Sequence, residues 1–276
     1  NMLLDFDPDI HHNVQLPECN YIQSDHIQNL KRDMNVTTSN FSCISININS
    51  VKEKYLNLQL ELTDIVQPTV IAITETKLSN ELNQLYNLPG YNLVTNNNKS
   101  NKGGVCLYVK QNIPVVINSE ISVIRDGIET LFTNVILDRT TFTVGVVYRR
   151  ATEISIDEFS RELDDLLTIL TRNNSNNKIF IMGDFNIDLM RHDENQSVAD
   201  FCNTMLSRGL YPVINRPTRV TPNSATLIDN IFTNCPETLN AGVIISGLSD
   251  HFPIYAFKQS NSHNNESRTN PQTITF

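Results

Sequence analysis

The sequence predicts an α/β protein built as a four-layer sandwich, in which two packed mixed β-sheets are flanked by helices. Three observations support this fold class. Predicted strands outnumber predicted helices, hairpins are mixed with helical crossovers, and the apolar strands are too many for one small sheet. The length of 276 residues and the apolar share of 39% are sufficient for one large domain with a substantial core.

Short apolar segments predict the strands. Isoleucine occupies every second position from Ile44 to Ile48, as in a strand with one buried face, and residues 69–74 form a nearly continuous apolar run, as in a strand covered on both faces. Residues 129–137 and 141–148 are expected to form a hairpin. The remaining strands are predicted at residues 103–109, 178–182, 227–233 and 241–257.

Three helices are predicted between these strands. Residues 50–53 and 155–158 each have serine followed three residues later by glutamate, which is the pattern of a capping box at a helix N-terminus. The first of these helices is expected to run to about Ile65, and the second carries an apolar stripe. A third helix is expected from about residue 196 to 208, ending at Gly209.

The two ends of the chain are expected to lie outside a catalytic domain of residues 39–258. Residues 1–38 are interpreted as an acidic, polar leader, and its pair His11–His12 as surface residues. Residues 259–276 are rich in Asn, Ser, Thr and Gln, so they cannot bury enough apolar surface to offset the entropy of ordering. We interpret them as a tail or linker of a longer polypeptide.

Charge and composition exclude several classes of protein. The 21 Lys and Arg against 30 Asp and Glu give a net charge of −9, which excludes a generally basic nucleic-acid coat and predicts weak, salt-sensitive binding to DNA. No stretch has the ~18 to 20 consecutive apolar residues of a membrane span. The five cysteines are far apart and form no CxxC pair, as expected for reduced thiols in an intracellular protein.

Polar residues follow several of the predicted strands, at the point where each strand ends. In layered α/β proteins such residues converge on one rim of the sheets, where ligands commonly bind. The pattern therefore predicts a functional site at that rim. The residues are Asn47, Asn49, Glu75, Tyr148, Asp184, Asn186, Asp229, Asp250 and His251.

This set of residues would support metal-assisted attack on a phosphate. Glu75, together with Asn47 and Asp250, offers the hard oxygen ligands that Mg²⁺ prefers. No P-loop, dinucleotide-binding glycine pattern or serine or cysteine nucleophile motif suggests a different chemistry.

Two further pairs have complementary roles in that chemistry. Asp184 and Asn186 are two residues apart, so on an extended segment both side chains point to one side and could hold an attacking water. His251 needs a carboxylate to fix its tautomer and stabilise its cation, and Asp229 is the candidate. A protonated His251 would offset charge that develops on a phosphate oxygen.

Six short motifs in this order resemble the exonuclease III / DNase I / apurinic endonuclease superfamily of Mg²⁺-dependent phosphodiesterases, over about residues 40–257. The sequence is most similar to the endonuclease domain of non-LTR retrotransposons, particularly in residues 216–219 and 224–233. Those elements nick target DNA so that the exposed 3′-hydroxyl primes reverse transcription. The motifs are Asn47-Ile-Asn49, Ile73-Thr-Glu75-Thr, Tyr148, Gly183-Asp-Phe-Asn186, Leu227-Ile-Asp229 and Ser249-Asp-His251.

The resemblance implies a cofactor, partners and a role for each residue. The implied cofactor is Mg²⁺, for which Mn²⁺ can substitute, and the implied partners are a duplex DNA target and a reverse transcriptase fused to or following this domain, acting in the nucleus. The implied metal ligands are Glu75, Asn47 and Asp250. The implied catalytic residues are Glu75, Tyr148, Asp184, Asn186, Asp229 and His251. The residues expected to contact the substrate are Asn47, Asn49, Thr218, Thr226 and Arg149.

Some positions depart from the family pattern. Arg149, Arg150 and Ala151 follow Tyr148 where many relatives have a proline, which leaves the shape of this loop open. Arg149 itself has two interpretations, a DNA contact or a solvated surface residue. Asn230 stands where His or Tyr is commoner, which would change the rim of the site.

Three alternative functions remain open from the sequence. A repair endonuclease for abasic DNA has the same core, but such relatives typically line the abasic pocket with aromatic residues including Trp, and this chain has none. A phosphatase acting on inositol or lipid phosphates also shares the core. A catalytically decayed domain that only binds DNA or protein is the alternative from another class.

Overall fold

The computed structural model describes residues 14–23, 26–34, 41–79, 83–96, 102–173 and 177–258. The predicted tail and the pair His11–His12 lie outside the described residues.

The described chain alternates many short strands with a few helices. In chain order the strands are β1 (Cys19–Gln23), β2 (Ser42–Asn47), β3 (Val70–Thr74), β4 (Tyr91–Asn96), β5 (Val105–Lys110), β6 (Val115–Ile117), β7 (Ile124–Arg125), β8 (Ile128–Leu137), β9 (Thr140–Arg149), β10 (Lys178–Asp184), β11 (Tyr211–Pro212), β12 (Arg219–Thr221), β13 (Ser224–Thr226), β14 (Asp229–Thr233), β15 (Leu239–Ile245) and β16 (Ile254–Lys258). The α-helices are α1 (Ile27–Met34), α2 (Val51–Leu58), α3 (Ile156–Asn173) and α4 (Gln196–Ser207). A π-helix (Gln59–Val66) continues α2, and short 3₁₀ turns occupy Asn83–Tyr86, Leu189–Arg191 and Pro236–Thr238.

The strands form two large mixed sheets and one small hairpin. The first sheet has the order β1-β15-β16-β2-β3-β5-β4. The second has the order β11-β14-β10-β9-β8-β6, with β7 beside β8. β12 and β13 pair only with each other. Both sheets combine parallel pairs, such as β2 with β3 and β9 with β10, with antiparallel ones.

Two apolar cores define four layers and confirm the predicted fold class. Ile44, Ile46 and Ile48, the predicted buried face of β2, pack with α1 and α2 on the outer side of the first sheet. A larger core fills the space between the two sheets and continues beneath α3 and α4, where Phe159 and Phe201 pack together at 6.1 Å. The order of layers is therefore helices, sheet, sheet, helices.

Part of the segment expected to be a leader belongs to the folded domain. β1 pairs in parallel with β15, from Cys19 opposite Ala241 to Gln23 opposite Ile245, and Leu30 of α1 is buried in the outer core. The expected boundary at residue 38 therefore does not separate a leader from the fold. Sequence periodicity did not reveal these elements because both are short and β1 pairs with a strand from the opposite end of the chain.

The two predicted capping boxes have different outcomes. At the start of α3 the box is present, since the Glu158 amide donates to Ser155 Oγ at 3.2 Å and the Ser155 amide donates to Glu158 Oε2 at 3.2 Å. At the start of α2 the prediction is wrong, because Ser50 has φ 110° and makes no side-chain cap. The Ser50 amide donates instead to the Glu75 carbonyl at 2.9 Å, which ties α2 to the loop after β3.

All five cysteines are free thiols. Burial raises the pKa of Cys19 to about 11 and that of Cys202 to about 12, so both remain protonated at neutral pH. Within the described residues, every helix is too short or too polar to cross a bilayer.

Gly183 allows β10 and β9 to approach closely next to the predicted site. Its φ is +145°, and a Cβ at this position would lie 2.0 Å from the Val147 carbonyl oxygen of β9. A side chain is therefore excluded by both the backbone conformation and the neighbouring strand.

We predict that Gly183→Ala lowers the free energy of unfolding by about 3 kcal/mol, from backbone strain and from the clash with β9. Gly247→Ala is the matched control, because no atom lies within 4 Å of a Cβ placed there. The control should change stability by less than about 0.5 kcal/mol in urea denaturation. Equal effects of the two substitutions would contradict this account of Gly183.

Candidate active site

The first sheet contributes Asn47 and Glu75 from the ends of two neighbouring parallel strands. Asn47 is the last residue of β2 and lies opposite Thr74, the last residue of β3, so Glu75 follows directly beside it. Asn47 Nδ2 donates to Glu75 Oε1 at 2.8 Å. The parallel pairing therefore brings together two residues that are 28 positions apart in the sequence.

The second sheet contributes three residues in one row across adjacent strands. Asp184 of β10 lies opposite Tyr148 in the parallel pairing with β9 and opposite Asp229 in the antiparallel pairing with β14. Residues directly opposite each other in a sheet present their side chains on the same face. Tyr148, Asp184 and Asp229 therefore share one face of the second sheet.

Hydrogen bonds join the two sheets at this point. Asn47 Nδ2 donates to Asp184 Oδ2 at 2.8 Å as well as to Glu75, and the Tyr148 hydroxyl donates to Glu75 Oε1 at 2.9 Å. Four of the residues predicted at the rim thus form one hydrogen-bonded network across the interface between the sheets.

Asp184 is a buried carboxylate with an unusual protonation equilibrium. Burial, together with the adjacent Asp229 carboxylate, raises the pKa of Asp184 from 3.8 to about 7. His251 and the hydrogen bonds from Asn47 and Asn186 act in the opposite direction. A carboxylate whose pKa lies near neutrality is suited to accept a proton from water.

Asn186 lies beside Asp184 in a left-handed backbone conformation, and two hydrogen bonds hold it there. It has φ 49°, and its amide nitrogen donates to Asp184 Oδ1 at 2.9 Å while its Nδ2 donates to Asp184 Oδ2 at 3.1 Å. The two side chains thus lie close together, as predicted, but through the left-handed turn at Asn186 and not through an extended segment.

Arg149 holds Asn186 in place and does not reach solvent. Its guanidinium donates to the Asn186 carbonyl at 2.8 Å and to the Ile154 carbonyl at 2.8 Å, and in return Asn186 Nδ2 donates to the Arg149 carbonyl at 2.8 Å. Only 5% of Arg149 is exposed. Both interpretations from the sequence, a DNA contact and a solvated surface residue, are therefore corrected to a buried supporting role.

His251 forms a buried ion pair with Asp229. His251 Nδ1 lies 2.9 Å from Asp229 Oδ2, as predicted, and Thr218 Oγ1 donates to the same oxygen at 2.7 Å. Burial alone would lower the pKa of His251, but the Asp229 carboxylate with its hydrogen bond and the charges of Asp184 and Asp250 together outweigh burial, and the pKa rises from 6.5 to about 9. The imidazole is therefore a cation at neutral pH.

Thr218 is placed to support Asp229. It is fully buried, and its Oγ1 also accepts from the Asp229 amide at 3.1 Å. The structure places the Thr218 hydroxyl on Asp229, to which it both donates and accepts, and its expected contact with substrate stays a prediction.

Three other expected site residues have partners of their own. Asp250 receives hydrogen bonds from the Arg219 guanidinium at 2.9 and 3.1 Å, so it forms an exposed ion pair with the β12–β13 hairpin. Thr226 lies in that hairpin, where its hydroxyl reaches only the Arg219 carbonyl at 3.5 Å. Asn49 is exposed and its Oδ1 accepts from Lys77 Nζ, which leaves it at the rim of the site.

The donors fit a hard divalent cation at Glu75. The Glu75 side chain is 23% exposed, and both neutral donors, Asn47 and Tyr148, bond to its Oε1, which leaves Oε2 to face Lys77 Nζ at 3.9 Å. Carboxylate oxygens at a partly open position suit Mg²⁺, which retains several waters. In the metal-free structure Asn47 presents its amide nitrogen to both carboxylates, and its expected role as a metal ligand stays a prediction.

A second group of potential ligands is less suitable for a metal. One ligand atom each from Asp184, Asp229 and His251 lie within 4.8 Å of one another, and all three residues are buried. In the metal-free protein the raised pKa of His251 favours a protonated ring beside Asp229, whereas a metal ligand would need a neutral imidazole.

Sequence reasoning gave no role to Glu129, a carboxylate with no exposed surface at the start of β8. The signal that could have found it is a charged residue between Ile128 and the apolar strand that follows, in a hairpin predicted to be buried. Glu129 accepts a hydrogen bond from the Gly104 amide, and the Gly104 carbonyl accepts one from Thr76, the residue after Glu75.

Comparison with known sequence families gave a match. A sequence model described as the Endonuclease/Exonuclease/phosphatase family matches residues 44–251. Comparison with curated protein sequences gave no match.

Solved structures with a similar fold include three of particular interest. D. rerio TDP2, complexed with single strand DNA product, is 16% identical with a TM-score of 0.61, covering 80% of this chain and 100% of that one. The endonuclease domain of TRAS1, a telomere-specific non-LTR retrotransposon, is 12% identical with a TM-score of 0.60, and the match covers 80% of this chain and 98% of that one. An endonuclease/exonuclease/phosphatase family protein from Leptotrichia buccalis is 18% identical with a TM-score of 0.58, and the match covers 80% of this chain and 99% of that one. At these identities the similarity establishes the fold alone.

The ion pair of His251 predicts a pH dependence of stability in metal-free protein. Because the pKa of His251 is raised in the folded state, its stabilising contribution is complete below pH 6.5 and is lost as the pH rises through about 9. Between pH 7.5 and 9.5, wild type should lose about 2 kcal/mol of unfolding free energy more than His251→Asn. Urea denaturation in EDTA measures the difference, and parallel pH profiles of the two proteins would contradict it.

Proposed function

The chain belongs to the endonuclease/exonuclease/phosphatase family, and from that premise we propose that it is a Mg²⁺-dependent DNA endonuclease of a non-LTR retrotransposon. In this proposal it nicks target DNA and leaves a 3′-hydroxyl that primes reverse transcription. The observation that carries the proposal is the hydrogen-bonded network that joins Tyr148, Glu75, Asn47 and Asp184 across the two sheets.

Asp184 is proposed to take the proton from the attacking water. Its two oxygens accept from Asn47 and Asn186, so the carboxylate is held in one orientation before the substrate arrives. The pKa of about 7 allows a substantial fraction to be ionised at neutral pH and still to accept a proton.

His251 is proposed to stabilise charge on the phosphate. Its Nδ1 proton is engaged by Asp229, so the Nε2 proton is the one available to a phosphate oxygen. Thr218 fixes the Asp229 carboxylate in the orientation that this contact requires. The positive ring would offset negative charge that develops in the transition state.

Glu75 is proposed to be the principal metal ligand. Bound there, Mg²⁺ would act as a Lewis acid on a phosphate oxygen and neutralise part of its charge. Tyr148 and Asn47 hold Glu75 Oε1, which orients the carboxylate in the absence of metal. We assign Tyr148 to this orientation, with donation to a phosphate oxygen as the role that the family resemblance implies.

DNA is the substrate that the sequence and the comparisons favour. The segments at 216–219 and 224–233 resemble non-LTR retrotransposon endonucleases, and structures with this fold include one such endonuclease and one complex with single strand DNA product. In the full polyprotein we propose a reverse transcriptase fused to or following this domain, with action in the nucleus. We propose Cys19 to Lys258 as the catalytic domain, because β1 completes the first sheet.

The decisive experiment is nicking of supercoiled plasmid in Mg²⁺ or in EDTA. Asp184→Asn and His251→Asn should each reduce Mg²⁺-dependent nicking at least about a hundredfold, because each removes a group that transfers a proton or offsets charge. Asp200→Asn is the control, since this exposed carboxylate on α4 only accepts a hydrogen bond from Gln196. A DNA polymerase should extend the nicks without prior treatment.

Each alternative function has its own signature in the same assay. Strong preference for an abasic duplex would identify a repair endonuclease. Turnover of inositol or lipid phosphates without nicking would identify a phosphatase. Folded protein that binds DNA but is inactive under all conditions would indicate a decayed domain, and nicking that persists in EDTA would exclude the metal-dependent mechanism.

A further inference from the structure

Glu129 is a fully buried carboxylate to which the proposed mechanism gives no role. Its Oε2 accepts from the Gly104 amide at 2.6 Å, and its Oε1 lies 3.1 Å from Arg150 NH2. Arg150 in turn bonds Glu153 at 2.7 Å. A buried ion pair adds little net stability compared with apolar residues of the same shape, so stability alone is a weak reason for this arrangement.

The Gly103-Gly104 loop connects Glu129 to the segment that carries Glu75. The Thr76 amide donates to the Gly104 carbonyl at 3.1 Å, and the Lys77 amide donates to the Gly103 carbonyl at 2.8 Å. Glu129 therefore holds one side of the loop by the Gly104 amide, and the loop holds the residues after Glu75 by its carbonyls.

The segment held in this way is strained. Glu75 and Lys77 both have φ 52°, in the left-handed region that residues other than glycine rarely adopt. Such conformations persist only where surrounding contacts impose them. The two hydrogen bonds from the glycine loop are contacts of this kind, together with the bond from the Ser50 amide to the Glu75 carbonyl at 2.9 Å.

The Glu129 side chain packs closely against its neighbours. In the pairing of β8 with β9, Glu129 lies opposite Tyr148, so the two side chains share one face of the second sheet, and the Tyr148 hydroxyl reaches Glu75 Oε1 at 2.9 Å. A Cβ on Gly103 would lie 2.3 Å from Glu129 Oε1, and Gly103 has φ +76°. A larger residue at 103 would therefore displace the carboxylate.

We propose that Glu129 is a positioning residue for Glu75, acting through the Gly104 amide to fix the strained segment 75–77 in the conformation that presents the metal ligand. This inference rests on the proposed function, in which Glu75 binds the metal. The essential feature is an acceptor for the Gly104 amide, and Arg150 is the counter-ion that allows that acceptor to be buried.

Two double variants separate positioning from structural support. Glu129→Leu/Arg150→Met replaces the pair with apolar residues, which should preserve the fold but removes the acceptor for Gly104. Glu129→Gln/Arg150→Met also removes the charges but retains an amide oxygen as acceptor. Asp164→Leu/Arg208→Met removes an ion pair of 2.8 Å between α3 and the end of α4, as a control remote from Glu75.

Mn²⁺ binding, followed by electron paramagnetic resonance, is the first readout. The Leu/Met variant should bind Mn²⁺ about tenfold more weakly than wild type, whereas the Gln/Met variant and the control should bind like wild type. Gly103→Ala should also weaken binding, because it strains the loop at φ +76° and displaces Glu129. Wild-type affinity in the Leu/Met variant, or equal loss in the Leu/Met and Gln/Met variants, would overturn the proposal.

Hydrogen exchange of metal-free protein is the second readout. The amides of Thr76 and Lys77 should exchange faster in the Leu/Met variant than in the Gln/Met variant, with amides of α3 unchanged. This test does not depend on the metal. If Glu75→Gln bound Mn²⁺ like wild type, the proposed metal site would fail, and the exchange data would still decide whether Glu129 fixes the segment. Unchanged exchange at Thr76 and Lys77 would overturn the proposal.

Discussion

The site depends on burying two carboxylates side by side. Asp184 and Asp229 are directly opposite each other in the pairing of β10 and β14, so their proximity is imposed by the register of the sheet. Like charges in a buried position repel strongly and must be compensated. The cation of His251 and the amide donors of Asn47 and Asn186 provide this compensation, and each comes from a different part of the chain.

Backbone strain is concentrated around the same point. Asn49, Ser50, Glu75, Lys77 and Asn186 all have positive φ, although none is glycine. Each such residue costs on the order of 1–3 kcal/mol, which the packed sheets beneath must offset. The benefit is geometric, because a chain leaving a strand must turn sharply if its first side chains are to remain at the strand end. The stability of the regular sheets allows these few strained turns to persist.

The sequence predicts local features well and long-range partners poorly. The alternation of Ile44 to Ile48, the capping box at Ser155 and the set of polar strand ends were all readable, because each depends on residues close together in the chain. The pairing of β1 with β15, the loss of the cap at Ser50 and the burial of Arg149 were not, since each depends on partners distant in sequence. Residue types led to the proposed chemistry, and the contacts show which side chains support the others.

The two hydrogen bonds of Asn47 depend on the distance between the two sheets. One amide nitrogen reaches a carboxylate on each sheet at 2.8 Å, and the apolar core between the sheets sets their spacing. A bulkier or smaller side chain in that core would change the distance between the groups that the proposed mechanism uses. In the proposed function, substitutions in the core between the sheets would therefore affect activity as well as stability. We expect fewer substitutions to be tolerated close to the rim than at the opposite end of the sandwich.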